Sequence, residues 1–428
     1  MRSSYKRIGD YIRLVDVRNK NLLVTKLLGL SISKQFIPSV ANTVGTNMKN
    51  YKIIKKNQFA CSIMQVRRDG KMPVALLEQF DEAIISQAYP VFEVIDTSLL
   101  LPKYLIMWFT RSEFDRQATF HAVGGVRGSL EWEDFLDFEL PVPSISTQQA
   151  IVDEYNTIVN RISLNEQLNA KLEETAQALY KHWFVDFNFP IAEESCPELV
   201  SGSPELIGKP YKSSGGAMVY NEELDKEIPE GWEYQQLNSL VDSQYGFTAS
   251  ADFEKKGVKF LRITDIASSY IDWDTVPYCD IKDKDLEKYK LHRGDIIIAR
   301  TGASVGSAKQ INNTDIIAVF ASYLVRLKPK SNTLFKYLGL MVTGDLYKDY
   351  ILNVAGGSAQ PQANAVLMTD YKIVLPKESI LNNFNKIVEP FTDKRELLQN
   401  ENSKLIELKG LILSKMATVG SKEEIVTN

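Results

Sequence analysis

From residue 1 to about 143 the apolar positions come in short runs; from about 146 they switch to a helical beat that continues to Phe184. Phe59-Ala60-Cys61-Ser62-Ile63-Met64 and Ala83-Ile84-Ile85 read as strands, and Pro102 to Phe114 reads as helix. Pro141 and Pro143 then act as breakers, and Ser146 or Thr147 with Gln148 or Gln149 close by supplies a helix start. The stretch that follows contains neither Pro nor Gly, which predicts one helix of about 39 residues, roughly 58 Å long at about 1.5 Å per residue. Its seam (Ile151, Tyr155, Ile158, Ile162, Asn165, Asn169, Leu172, Ala176, Leu179, Trp183) steps alternately by four and three, the a/d pattern of a coiled coil with two polar interruptions.

The same succession returns at an offset of about 233 residues, far beyond solenoid periods of about 20–50, so it marks a duplicated domain. Gly124-Gly125 leads through Asp137-Phe138-Glu139-Leu140-Pro141-Val142-Pro143 into the first long helix; Gly356-Gly357 leads through Asp370-Tyr371-Lys372-Ile373-Val374-Leu375-Pro376 into a second. Lys103-Tyr104-Leu105 is echoed by Lys336-Tyr337-Leu338, and Ile8-Gly9-Asp10-Tyr11-Ile12 by Leu237-Asn238-Ser239-Leu240-Val241. The second seam (Phe384, Val388, Phe391, Arg395, Leu398, Asn402, Leu405, Lys409, Ile412, Met416) is poorer, with Arg395 and Lys409 in it. Each helix carries a stripe to bury, and the natural partner of each is the other. Asn169 and Asn402 occupy equivalent places; a buried Asn there would fix register, whereas on a drifting stripe it would face solvent. A chain built as globule, helix, globule, helix has two similar heads and a means of spacing them.

Between Phe187 and Gly231 Pro, Ser, Gly and Glu dominate, the composition of a linker. The expected boundaries are a first globule over 1–143, a long helix over 144–186, a linker over 187–230, a second globule over 231–376, a second long helix over 377–418 and a tail over 419–428. Cys61, Cys196 and Cys279 are odd in number and form no CxxC pair, so neither a disulfide framework nor a zinc site is indicated. With no leader-like start and no apolar run long enough to span a bilayer, the expectation is a cytoplasmic protein without membrane contact. A net charge of −4 argues against nonspecific coating of nucleic acid, which rests on neutralising phosphates. It leaves room for a local basic face: Lys49, Lys52, Lys55, Lys56, Arg67, Arg68 and Lys71 stand against Asp69 alone.

Enzyme chemistry finds little support. Gly302-Ala303-Ser304-Val305-Gly306-Ser307 lacks the Gly-Lys-Ser/Thr ending of a phosphate loop, and Asn188-Phe189-Pro190 lacks the second proline of a base methyltransferase site. His121, His182 and His292 are dispersed, and no nucleophile elbow appears. A recognition surface fits better. The strand Gly294 to Ala299 ends at Arg300-Thr301-Gly302-Ala303-Ser304, where glycines let backbone amides approach phosphates while side chains reach base edges. The matching strand Gln58 to Ser62 runs into Gln65, Arg67, Arg68 and Lys71. A second such place follows the glycine pairs, with Arg127 in one copy and Gln360 and Gln362 in the other. The candidate DNA-contacting set is therefore Gln65, Arg67, Arg68, Lys71, Arg127, Arg300, Thr301, Ser304, Lys309, Gln360 and Gln362. Similar scaffolds with different tip residues are what two readers of two sequences need.

Several segments together resemble the specificity subunit of type I restriction–modification systems. They are Leu140-Pro141-Val142-Pro143 to Gln149-Ala150-Ile151-Val152, Leu179-Tyr180-Lys181-His182-Trp183-Phe184-Val185-Asp186-Phe187, Glu227-Ile228-Pro229-Glu230-Gly231-Trp232, and the glycine-rich turns before each helix. The resemblance covers essentially the whole chain. It implies an α+β fold of two similar mixed α/β target-recognition domains, each binding one half of an interrupted site. Two long antiparallel helices separate them as a coiled coil, with pseudo-two-fold duplication. It also implies double-stranded DNA, two methyltransferase subunits and restriction subunits as partners. Adenine N6 methylation would use S-adenosylmethionine on the methyltransferase, and ATP would serve the nuclease, so this chain itself needs no cofactor. The second helix departs from the family pattern, opening with Ser379-Ile380-Leu381-Asn382-Asn383-Phe384 in place of Gln-Gln-Ala-Ile-Val. The rival readings are a self-sufficient DNA methyltransferase or nuclease, and a coiled-coil scaffold that binds proteins.

Overall fold

Four short antiparallel strands form the heart of each copy. In the first they are β1 (Ile12–Val15), β2 (Phe59–Cys61), β3 (Val74–Leu76) and β4 (Val91–Val94), in the order β1-β4-β2-β3. Phe59, Ala60 and Cys61 are all buried, as expected of a central strand that reads as an unbroken apolar run. Phe59 stacks on Phe92 with ring centroids 4.9 Å apart, and Phe109 meets both edge-on. Phe109 comes from α1 (Pro102–Phe109), followed by α2 (Ser112–His121), α3 (Trp132–Leu136) and the long α4 (Ile145–Tyr180). Pro102 opens α1 where its missing N–H costs nothing. The single helix expected from Pro102 to Phe114 is broken at Thr110, whose hydroxyl turns back to the Met107 carbonyl (2.7 Å). The computed structural model describes residues 5–39, 46–123, 128–193, 197–254, 256–312, 315–356 and 361–419.

The second copy repeats the topology. Its strands β5 (Val241–Tyr245), β6 (Ile296–Ala299), β7 (Ala308–Gln310) and β8 (Leu324–Pro329) run in the order β5-β8-β6-β7, again antiparallel. The helices α5 (Phe335–Thr343), α6 (Asp345–Val354), α7 (Ala365–Thr369) and α8 (Glu378–Lys415) follow in the same succession. Even single hydrogen bonds recur. The buried hydroxyl of Tyr104 donates to the Pro141 carbonyl (3.1 Å), and that of Tyr337 to Val374 (2.7 Å), each satisfying a group that burial would otherwise strand. Each acceptor lies in or beside the strand leading to a long helix, Glu139–Pro141 paired with Tyr5–Arg7 and Lys372–Leu375 paired with Glu233–Gln236.

The long helices bear out the seam reading. Every seam position of α4, and of its π-helical continuation Lys181–Val185, is buried or half-buried, as is every seam position of α8 and the adjoining Met416. By contacts the chain divides into two units, Met1–Ser163 with Asn402–Asn428 and Leu164–Glu401, so each helix gives one part to each unit. Within the second unit Trp183 meets Phe384 (5.4 Å between centroids), while Glu173, earlier in α4, pairs with Arg395, later in α8. The two helices are therefore antiparallel. Within the first unit Val152 and Ile158 share a core with Ile412 and Met416, and the Tyr5 hydroxyl donates to the Ala417 carbonyl (3.0 Å). Asn165, Asn169 and Asn402 are buried. Pro390 lies inside α8 on an exposed position, where its ring removes the amide that would pair with the Lys386 carbonyl.

The stretch expected to be a linker is packed. Phe189 stacks between Tyr211 (4.6 Å) and Trp232 (5.0 Å), and Phe187 meets Trp232 edge-on. A hairpin, Met218–Asn221 with Lys226–Pro229, closes the segment, which joins the main core of the second unit. Its Pro, Ser and Gly dictate irregular backbone, while four aromatics supply the burial. Among the described residues no helix is long and apolar enough to cross a membrane.

Candidate nucleic-acid interface

In each unit the two places that the sequence marks lie side by side. After β2 the chain turns through Gln65 to Gly70, and the segment beyond the glycine pair is laced to that turn. The Leu130 amide donates to the Ile63 carbonyl (2.9 Å), and the Arg67 amide to Gly128 (3.2 Å). After β6 the same lacing recurs. The Ala363 amide donates to Arg300 (3.0 Å), the Gly302 amide to Pro361 (3.2 Å), and Thr301 forms an antiparallel bridge with Gln362. A buried valine pins each loop from below, Val66 in one and Val305 in the other. Backbone bonds and a buried anchor make these tips rigid, as reading requires.

Both turns use a left-handed residue in the same place, Gln65 (φ 64°) and Gly302 (φ 75°). For a side chain other than glycine that backbone region costs roughly 1–2 kcal/mol. Gln65→Gly is therefore expected to keep stability within about 1 kcal/mol of the parent, whereas the β-branched Gln65→Val should lose about 1–2 kcal/mol. Urea unfolding of the two variants measures both. Gly128 (φ 54°) admits no side chain, because a Cβ there would sit 2.4 Å from the Cβ of Arg67.

Most of the candidate residues reach these tips. Arg67, Arg68 and Lys71 are exposed and Gln65 half-buried, with the Arg68 guanidinium held by Asp69 (2.7 Å). Arg300, Thr301 and Ser304 are half-buried and Gln362 is exposed. Lys309 does not join them. Its Nζ donates to the Ser269 carbonyl (3.1 Å), and burial lowers its pKa while Glu173 and Arg395 act on it from the long helices. One member of the basic run is engaged inside the fold: Lys52 is half-buried and donates to the Tyr89 carbonyl (3.0 Å). Arg127 and Gln360 lie outside the described residues. Two aromatics that the sequence reading missed flank the second tip, Tyr245 closing β5 and Tyr323 just before β8, both exposed. A tyrosine ending a strand directly before Gly246 is the trace the sequence offers.

The tips bring together hydrogen-bond donors and cations, with aromatic faces beside the second. The Cys61 and Cys279 thiols are buried, and burial pushes both above their ordinary range, Cys279 to about 11, which makes them poor nucleophiles. Among the described residues no group of three or more His, Cys, Asp or Glu side chains could hold a metal ion.

The duplication is matched in known proteins. The type I restriction modification DNA specificity domain family matches residues 6–174 and again 229–407. The HindI specificity subunit of Haemophilus influenzae is 23% identical, covering 95% of this chain and 94% of that protein. The MjaIX specificity subunit of Methanocaldococcus jannaschii is 24% identical, covering 73% of this chain and 67% of that protein. The solved type I restriction–modification S subunit from M. genitalium shares the fold, with a TM-score of 0.53 at 15% identity over 96% of this chain and 95% of that one.

Proposed function

Because this chain belongs to the type I restriction–modification DNA specificity family, we propose that it is the sequence-reading subunit of such a complex. It recognises a bipartite site on double-stranded DNA and positions methyltransferase and restriction subunits there, two methyltransferase subunits per chain. The observation that supports this most directly is the repeated tip. The same two backbone segments are joined at the same end of the same sheet in both units, and the side chains they present differ. Backbone bonds fix the frame while side chains carry the base information, the division of labour in sequence readout. The chain itself is proposed to be non-catalytic and to bind no cofactor. S-adenosylmethionine and ATP act on its partners.

The test is co-expression in a methylation-free host. With its methyltransferase the chain is expected to yield N6-methyladenine within an interrupted motif, and neither protein alone should do so. Methylation or cleavage by the purified chain would overturn the non-catalytic assignment. A complex without sequence-specific DNA binding that weakens with salt would favour a protein-binding scaffold instead.

A further inference from the structure

Arg300 stands where the strand β6 ends and the second tip begins. It is half-buried, and its guanidinium lies 4.9 Å over the Tyr245 ring. That ring is itself held, because its hydroxyl accepts the Ala365 amide (3.0 Å). The Arg300 backbone is clamped on both sides, its amide donating to Tyr323 (3.1 Å) and its carbonyl accepting from Ala363. The side chain, in contrast, has no ion pair and no hydrogen-bond acceptor among the described residues, and its Nε is enclosed with no partner. A guanidinium carries five donors, and a partly desolvated one left without acceptors is unfavourable unless something outside the fold supplies them. The other desolvated arginine of this sheet, Arg326, shares the unpartnered Nε, but its terminal nitrogens have partners inside the fold. Arg300 is therefore a planar fork, fixed by stacking and short of acceptors, beside Thr301 and the exposed Gln362.

We infer that Arg300 is the specificity-determining residue for a guanine in the half-site read by the second unit, taking the O6 and N7 acceptors of that base with its fork. This rests on the DNA-reading function proposed above. Guanine is the base whose major-groove edge offers two adjacent acceptors at the spacing of a guanidinium. Stacking on Tyr245 leaves less side-chain freedom to be lost on binding, so the contact is pre-organised. Among the described residues the first unit lacks the device. The residue whose carbonyl takes the equivalent backbone bond is Ile63, so this guanine contact belongs to one half-site alone.

The experiment is competition binding by the assembled complex of this chain with its methyltransferase. Duplexes in which each base pair of the site is exchanged in turn serve as probes. For the parent, one G·C pair in the second half-site should show an exchange penalty of about tenfold or more. In the Arg300→Gln complex that single penalty should fall to within about twofold, and in the Arg300→Lys complex it should shrink, with every other penalty intact. Arg300→Lys tests the fork rather than the charge, and unchanged penalties at the other base pairs of the second half-site show that the second unit is folded. Three results would overturn the inference. They are a second half-site with no guanine, an undiminished penalty in both variants, and a uniform loss of affinity across all duplexes, which marks a phosphate contact. A parent complex that shows no exchange penalty anywhere would instead sink the DNA-reading function itself.

Discussion

Arg326→Met should destabilise the second unit by about 3–5 kcal/mol, because it strands a buried carboxylate. Arg326 on β8 and Asp295, just before β6, are both almost fully enclosed and lie 3.4 Å apart. Arg326 also donates to the carbonyls of Lys290 (2.8 Å) and Lys288 (3.3 Å) and to the Gln244 side chain. Methionine fills much of the volume but removes the donor to those acceptors and the leading counter-charge of Asp295. Asp295→Asn should cost less, since an amide oxygen can still accept the His292 amide (2.9 Å) and no buried charge is left over. The sign of the pH dependence follows from Asp295. Burial raises its pKa above the ordinary 3.8 even with Arg326 opposing. A carboxyl raised in the folded state binds protons more readily there than in the unfolded chain, so folding is favoured as pH falls. The deficit of Arg326→Met should therefore be largest at neutral pH and shrink as pH drops toward 3.8. Urea unfolding at several pH values reads this out, and a deficit independent of pH would mean that lost packing, not the stranded charge, dominates.

What the sequence disclosed depended on whether side chains carried the signal. The seam of α4 was legible because a stripe that must be buried recurs every 3.5 residues on average, and Ile158, Ala176 and Trp183 are buried as that beat requires. Pro390 and Gly410 blur the same beat in α8, yet Val388, Leu398 and Ile412 remain core residues. The strands β2 and β6 were legible as apolar runs. The joining of each tip to a segment some 60 residues away was not, because it is made of amides and carbonyls that any sequence supplies. Lys309 looks like a phosphate contact in the sequence, and only the fold shows its ammonium held by the Ser269 carbonyl (3.1 Å). The packed segment after Phe187 was hidden for another reason. Phe189, Tyr211 and Trp232 are about 20 residues apart with no period, so neither helix nor strand patterning registers them as one stack.

The two copies are expected to act as separate readers, each delivering one half of the recognised site. Each unit holds its own four-stranded sheet, its own core and its own laced tip, and the backbone bonds that lace each tip join residues of one unit. Replacing residues 1–143 by the corresponding domain of a relative leaves β5 to β8 and the second tip untouched. It renews every candidate contact of the first unit, Gln65, Arg67, Arg68 and Lys71 among them. Co-expressed with the methyltransferase, the exchanged chain should methylate a motif in which one half-site is that of the donor and the other is unchanged. The decisive measurement is therefore sequencing of the methylated adenines in a host carrying the exchanged chain. One new half beside one old half is the predicted result; a motif in which both halves change together would contradict the claim.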